Sequence, residues 1–294
     1  MSNILHKQNL DENLRFLAAQ RQINSNLKAK RSIVRLFSIL IFAISVLVLN
    51  NSIKADDTYS VIRELFCIGV AIVSYVLIWG FESDREYASK FQKKFDSNLF
   101  DLNYDITTQD EITASKYAEK HNSKVGNLEK IEGWYTSAID NKAFPEDIIS
   151  CQKQNLMWTR ELKKHYVIFL SILNFLILGS SLFIVFSFWS DGFYSKQKMI
   201  YEIIIFYLCY MSAFLMPLIK HILDLYKLNR CIFLFCELKD LVGMSLAKKM
   251  NIALISKIQN CIDDYRKSNL SVPDFFAEGR KYVLEAKSKI WVKD

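Results

Sequence analysis

The stretch from Trp134 to Leu162, WYTSAIDNKAFPEDIISCQKQNLMWTREL, holds the densest set of side chains suited to ligand recognition. Trp134, Tyr135 and Trp158 present flat faces on which a nucleobase can stack. Gln152 and Asn155 offer paired donors and acceptors, and Lys153 and Arg160 can neutralise phosphate. The competing reading places the aromatics and Cys151 in the core of a helical module. No catalytic constellation accompanies them. The chain lacks a Walker loop, GxGxxG, GxSxG and HExxH, and its acids fall on charged helical faces, so it reads as a non-enzyme. With four His, six Cys, no CxxC and no Cys/His cluster, it calls for no metal and no cofactor.

A second set of polar residues interrupts long apolar runs, where such groups are costly unless partnered. Ser171, Asn174 and Ser181 follow at spacings of three and seven, on one face of a helix. They line a pore or bond to a neighbouring helix. Glu202 sits near one end of another run, one turn after Lys198, at a pore mouth or reaching for the interface. Pro217 bends the same run near its other end, as a hinge or a fixed bend.

These residues need rods to hold them. The 294-residue chain is 51% hydrophobic with only 8 Gly and 3 Pro, which favours long uninterrupted helices. A bilayer core about 30 Å thick takes roughly 17–25 apolar residues as a helix. Four segments qualify: Ile33–Leu49, Leu65–Phe81, Tyr166–Trp189, and about Met199–Ile219. Lys and Arg are sparse in the loops after the first and third spans and dense elsewhere, which puts the short loops outside and both termini in the cytoplasm. The net charge of +7 then suits an anionic membrane face without requiring polymeric nucleic acid. The Cys outside the spans are expected to stay reduced. The first thirty residues have no short apolar core, so no cleaved signal peptide is expected.

The expected organisation is a cytoplasmic helix over 1–32, two spans over 33–81, cytoplasmic helices over 82–165, two spans over 166–219 and cytoplasmic helices over 220–294. The fold class is all-α. Thr108 and Glu111 read as a capping box opening a helix through Glu119. Pro145 with Glu146 and Asp147 opens a rod that runs into the third span, and the fourth span continues toward Val242. Ile255, Ile258, Ile262 and Tyr265 share one helical face, and Pro273 with Asp274 starts the last helix.

The ordered motifs also resemble a family. QNLDENLRFLAAQR (Gln8 to Arg21), FDSNLFDL (Phe95 to Leu102), WY at Trp134 and Tyr135, CQKQNLMW (Cys151 to Trp158), IQNCIDDYR and VPDFF together look like the SMODS- and SLOG-associating four-transmembrane effectors of bacterial nucleotide-signalling defence. The resemblance covers essentially the whole chain. The chain departs from the family pattern at Asn103 and Tyr104, where a Trp-Asn pair is expected, and at Lys153, where Arg is expected. The resemblance implies a multi-pass effector in the bacterial inner membrane. Its cytoplasmic module would bind a cyclic di- or oligonucleotide through Trp134, Tyr135, Gln152, Asn155, Trp158, Arg160 and Arg21. It would then act as a homo-oligomer that permeabilises the bilayer and aborts infection. A rival reading is a membrane anchor that recruits a soluble partner.

Overall fold

The computed structural model describes residues 3–49, 82–125, 131–190, 210–244 and 248–293, with isolated positions at 68, 69, 72, 204 and 207. Most of the second expected span, the first part of the fourth, both short loops and Glu202 lie outside the described residues. Among the described residues the secondary structure is helical, with no strand. The helices are α1 (Ile4–Lys7), α2 (Asp11–Leu49), α3 (Glu82–Phe100), α4 (Thr108–Val125), α5 (Glu146–Ser190), α6 (Met216–Met244), α7 (Lys248–Ser268) and α8 (Asp274–Lys293). Their starts follow local chemistry. Asp11 and Glu12 open α2, and Glu146 and Asp147 open α5, acids placed where the helix dipole favours them.

The α4 cap differs from expectation. Thr107, not Thr108, is the capping residue: its hydroxyl accepts the Asp110 N–H at 3.2 Å, and Asp110 Oδ2 accepts the Thr107 N–H at 3.2 Å. The box is therefore T-x-x-D, one residue earlier than Thr108–Glu111. Aspartate closes it because Lys90 Nζ donates to both of its oxygens, at 3.1 and 3.2 Å. The helix also runs past Glu119 to Val125.

The chain divides into two compact units. The first comprises Met1–Leu27, Glu82–His165 and Leu223–Asp294; the second comprises Lys28–Phe81 and Tyr166–Ile222. In the first unit, α3 packs on α7 and α1 on α3. The apolar stripe Leu14, Leu17 and Ala18 of α2 is buried, as are Phe91, Phe95 and Leu99 of α3. Phe16 and Phe91 bring their rings to 6.4 Å. Ile255, Ile258, Ile262 and Tyr265 of α7 are all buried, matching their helical spacing. A buried ion pair, Lys163 Nζ to Asp224 Oδ2 at 2.8 Å, ties α5 to α6, and the same oxygen accepts the Leu270 N–H at 2.8 Å.

The second unit is built differently. Ile172 (57% exposed), Phe175 (76%) and Leu176 (60%) of α5 point outward, while Asn174 is buried. Tyr210 and Phe214 form its small buried cluster, with Leu173, Ile177 and Met211 against it. The Tyr166 and His221 rings meet edge to face at 4.8 Å. Among the described residues one helical stretch, Glu146–Ser180, is long and apolar enough to cross a membrane. A π turn, Met211–Leu215, precedes α6. Pro217 explains it: proline has no N–H for the carbonyl of Ala213, four residues back, so the ladder widens there.

Candidate functional site

The sequence-marked residues converge on a buried polar network in the first unit, centred on a residue that sequence reading did not single out. Asp96 is fully buried in α3. Its Oδ1 accepts the Tyr135 hydroxyl at 2.8 Å, and its Oδ2 accepts Arg266 at 2.6 Å and Gln259 at 3.1 Å. Arg266 also donates to Asp263 at 3.1 Å, and Lys93 Nζ approaches the other Asp263 oxygen at 3.6 Å. Gln152 Nε2 donates to Gln259 Oε1 at 3.2 Å and to the Ile255 carbonyl at 3.1 Å. Two carboxylates, two cations and a set of amides thus neutralise one another inside the unit. Buried charge is tolerated only under such mutual satisfaction.

The electrostatics follow from burial and pairing. Burial, with the Asp96 carboxylate beside it, pushes the Tyr135 phenol well above its ordinary value, so it serves as a neutral donor. Burial alone would lower the Arg266 guanidinium, but Asp96 and Asp263 hold it above its ordinary value. Burial pushes Asp263 up to about 6, against the opposing pull of Arg266 and Lys93. Burial also raises the Cys151 thiol, which makes it a core residue and a poor nucleophile.

The structure sorts the expected ligand residues into three groups. Tyr135 and Gln152 are buried and bonded within the network. Trp134, Asn155 and Arg21 form its half-buried edge: Asn155 Nδ2 donates to the Tyr135 hydroxyl at 2.7 Å and Asn155 Oδ1 accepts the Trp134 indole at 3.3 Å. The Arg21 guanidinium lies 5.5 Å from the Trp134 ring centre, a cation–π distance, and burial lowers its pKa against the pull of Asp274. Trp158 is half-buried on α5, three residues beyond Asn155, and Arg160 donates to Asn229 at 3.2 Å. In the second unit Asn174 Nδ2 donates to the Leu170 carbonyl at 2.7 Å and to the Phe214 carbonyl at 3.4 Å. Ser171 is exposed on α5. The side chain of Ser181 and all of Glu202 lie outside the described residues.

Asp96, Gln259, Asp263 and Arg266 were the missed members. A signal was present on α7. Gln259, Asp263 and Arg266 repeat at four and three, a polar stripe running beside the apolar stripe Ile255, Ile258 and Ile262. Asp96 directly follows the core residue Phe95, and nothing in its local sequence marks it as buried.

The network draws on the first five of the motifs set out from sequence, and Asp274 of the last acts on Arg21 at its edge. Gln8 from the first accepts the Tyr135 N–H at 2.8 Å, and Asn13 accepts Asn98 of α3 at 2.8 Å. Residues 2–287 match the model of the SMODS-associating 4TM effector domain. The chain belongs to that family. A curated relative, described as a probable CBASS effector molecule of Bacillus cereus (strain VD146), is 30% identical over 203 residues. That alignment covers 67% of this chain and spans about 65% of the relative's length. No solved structure matches the chain. Family membership together with the membrane-capable stretch of α5 makes this a membrane protein of the effector class.

Proposed function

We propose that the chain is the membrane effector of an anti-phage CBASS system. In this reading the first unit is a cytoplasmic receiver for a cyclic di- or oligonucleotide. The second unit supplies four transmembrane helices, with both termini in the cytoplasm, and permeabilises the bacterial inner membrane as a homo-oligomer. The protein catalyses no reaction.

One contrast carries the reading. The first unit gathers Asp96, Asp263, Arg266 and Gln152 into a hydrogen-bonded internal network, while the second exposes Ile172, Phe175 and Leu176 and buries Asn174. Apolar side chains outside and an amide inside is the arrangement that lipid demands. Helices α2, α5 and α6 each carry residues of both units, so a shift in the receiver has a continuous backbone along which to act. The half-buried edge formed by Trp134, Asn155 and Arg21 retains an aromatic face, an amide and a cation, which suits base stacking beside a phosphate.

The test is dye release from liposomes carrying the full chain, titrated with a panel of cyclic di- and trinucleotides. At least one panel member should trigger release and raise the melting temperature by mass action. Absence of both responses across the panel overturns the receiver reading. Stoichiometric capture of a soluble partner with no release would favour an anchor instead.

A further inference from the structure

A small cavity of about 70 Å³ lies in the first unit among α2, α3 and the C-terminal end of α7, and Trp134 does not line it. Two guanidiniums, Arg85 and Arg266, line it together with the amides of Gln20, Asn24, Gln92 and Asn269. Two serines and one alanine complete the lining, and no carboxylate contributes to it. An apolar cavity of this size would be a packing defect. A cavity walled by two cations and four amides is a receptor for an anion, because each wall group is a donor or carries one.

We propose that this cavity is an anion subsite that takes one phosphate group. The inference rests on the receiver reading, and it moves the charge-reading part of the site from Arg160 to Arg85 and Arg266. Size sets the occupant. An engineered cavity of ~150 Å³ accepts a benzene molecule, so a cavity of about half that volume admits a phosphate and excludes a nucleoside. A nucleotide bound here therefore inserts one phosphate and leaves its bases outside. The Gln20 and Asn269 side-chain oxygens are buried without a protein partner, which adds acceptors for an N–H or a phosphate-bound water. Gln20 Nε2 reaches Gln92 Oε1 only at 3.5 Å, so this amide pair across the wall is loosely held.

Arg266 gives the cavity its meaning. The same guanidinium that lines it holds Asp96 at 2.6 Å and Asp263 at 3.1 Å. An anion in the cavity shares that guanidinium with two carboxylates. Occupancy therefore acts directly on the network that joins α3, α5, α7 and Tyr135, without relay through other groups.

The test uses the full chain in detergent and sodium diphosphate as the probe, at ionic strength held constant with chloride. The wild type should show a saturable rise in melting temperature. Arg85→Gln should weaken the apparent affinity at least tenfold, and Arg85→Lys should recover part of it. Asn24→Leu, at a half-exposed wall position, fills the cavity, keeps both cations and should weaken binding similarly. Lys281→Gln, an exposed charge on α8, should stay within twofold of wild type. A wild type without a saturable response overturns the subsite. So does affinity within twofold of wild type in either Asn24→Leu or a folded Arg85→Gln. The cyclic-nucleotide panel separates this from the reading beneath it. If diphosphate binds and no panel member does, the receiver reading falls and the subsite stands. If a panel member binds wild type and both variants equally, the subsite falls and the receiver stands.

Discussion

The two units bury polar groups for opposite reasons. In the first, Asp96, Asp263 and Gln152 are buried and are linked to one another through Gln259 and Arg266. In the second, Asn174 is enclosed while large apolar side chains face outward. A polar group inside a water-facing unit is costly because its alternative is full hydration. If the second unit faces lipid, as proposed, the alternative there is hydrocarbon, and a local carbonyl is already an adequate partner. The same kind of side chain should therefore have different energetic weight in the two places.

Substitutions can break or sharpen that contrast. Asp96→Asn should have the largest effect, because it leaves Arg266 buried beside a single carboxylate; a loss of about 3–5 kcal/mol is expected, read by denaturant unfolding of the full chain. Tyr135→Phe removes one hydroxyl that donates to Asp96 and accepts from Asn155. It should cost about 1.5–3 kcal/mol in the same assay.

Asp263 adds a pH signature of intermediate size. Its folded pKa of about 6 lies above the ordinary carboxylate value, so the folded state binds its proton more tightly than the unfolded chain does. That contribution to stability is fully present below the unfolded value and is lost as pH rises through about 6. Wild type should gain on Asp263→Asn by about 2 kcal/mol as pH falls from 7 toward 4, read as a widening gap in melting temperature. A gap that narrows on acidification would show that Asp263 is held as a carboxylate by Arg266 and Lys93.

Asn174→Leu should be the mildest. Two carbonyls lose a donor, yet hydrogen bonds of this class between membrane helices average about 0.6 kcal/mol. A cost of several kcal/mol in the same detergent assay would mean that the second unit uses its amide as the first uses Asp96, and the contrast would collapse.

Much of the fold was legible because it depends on local rules. Scarce Gly and Pro, Pro145 ahead of two acids, and the spacing of Ile255, Ile258 and Ile262 each act within a few residues. Each matched an observed helix start or buried face. The α4 cap was misplaced by one residue because Thr107 and Thr108 are both competent, and only Lys90, 20 residues away, selects Asp110 as the closing acid. The site was legible in part. Tyr135, Gln152 and Asn155 do come together with Trp134 at their edge, while Arg160 bonds to Asn229.

By itself, then, the sequence determined the helices, because hydrogen bonding, capping and helical periodicity operate over one to four residues. It also carried the ordered motifs by which the family is recognised. Only the tertiary structure decided which acids are buried. Asp96 meets Arg266 across 170 residues of chain, Gln152 meets Gln259 across 107, and Lys163 meets Asp224 across 61. Desolvation and pairing are properties of what surrounds a charge in space, and no local spacing encodes them. The same holds for the cavity, whose two guanidiniums become neighbours only when α3 and α7 pack together.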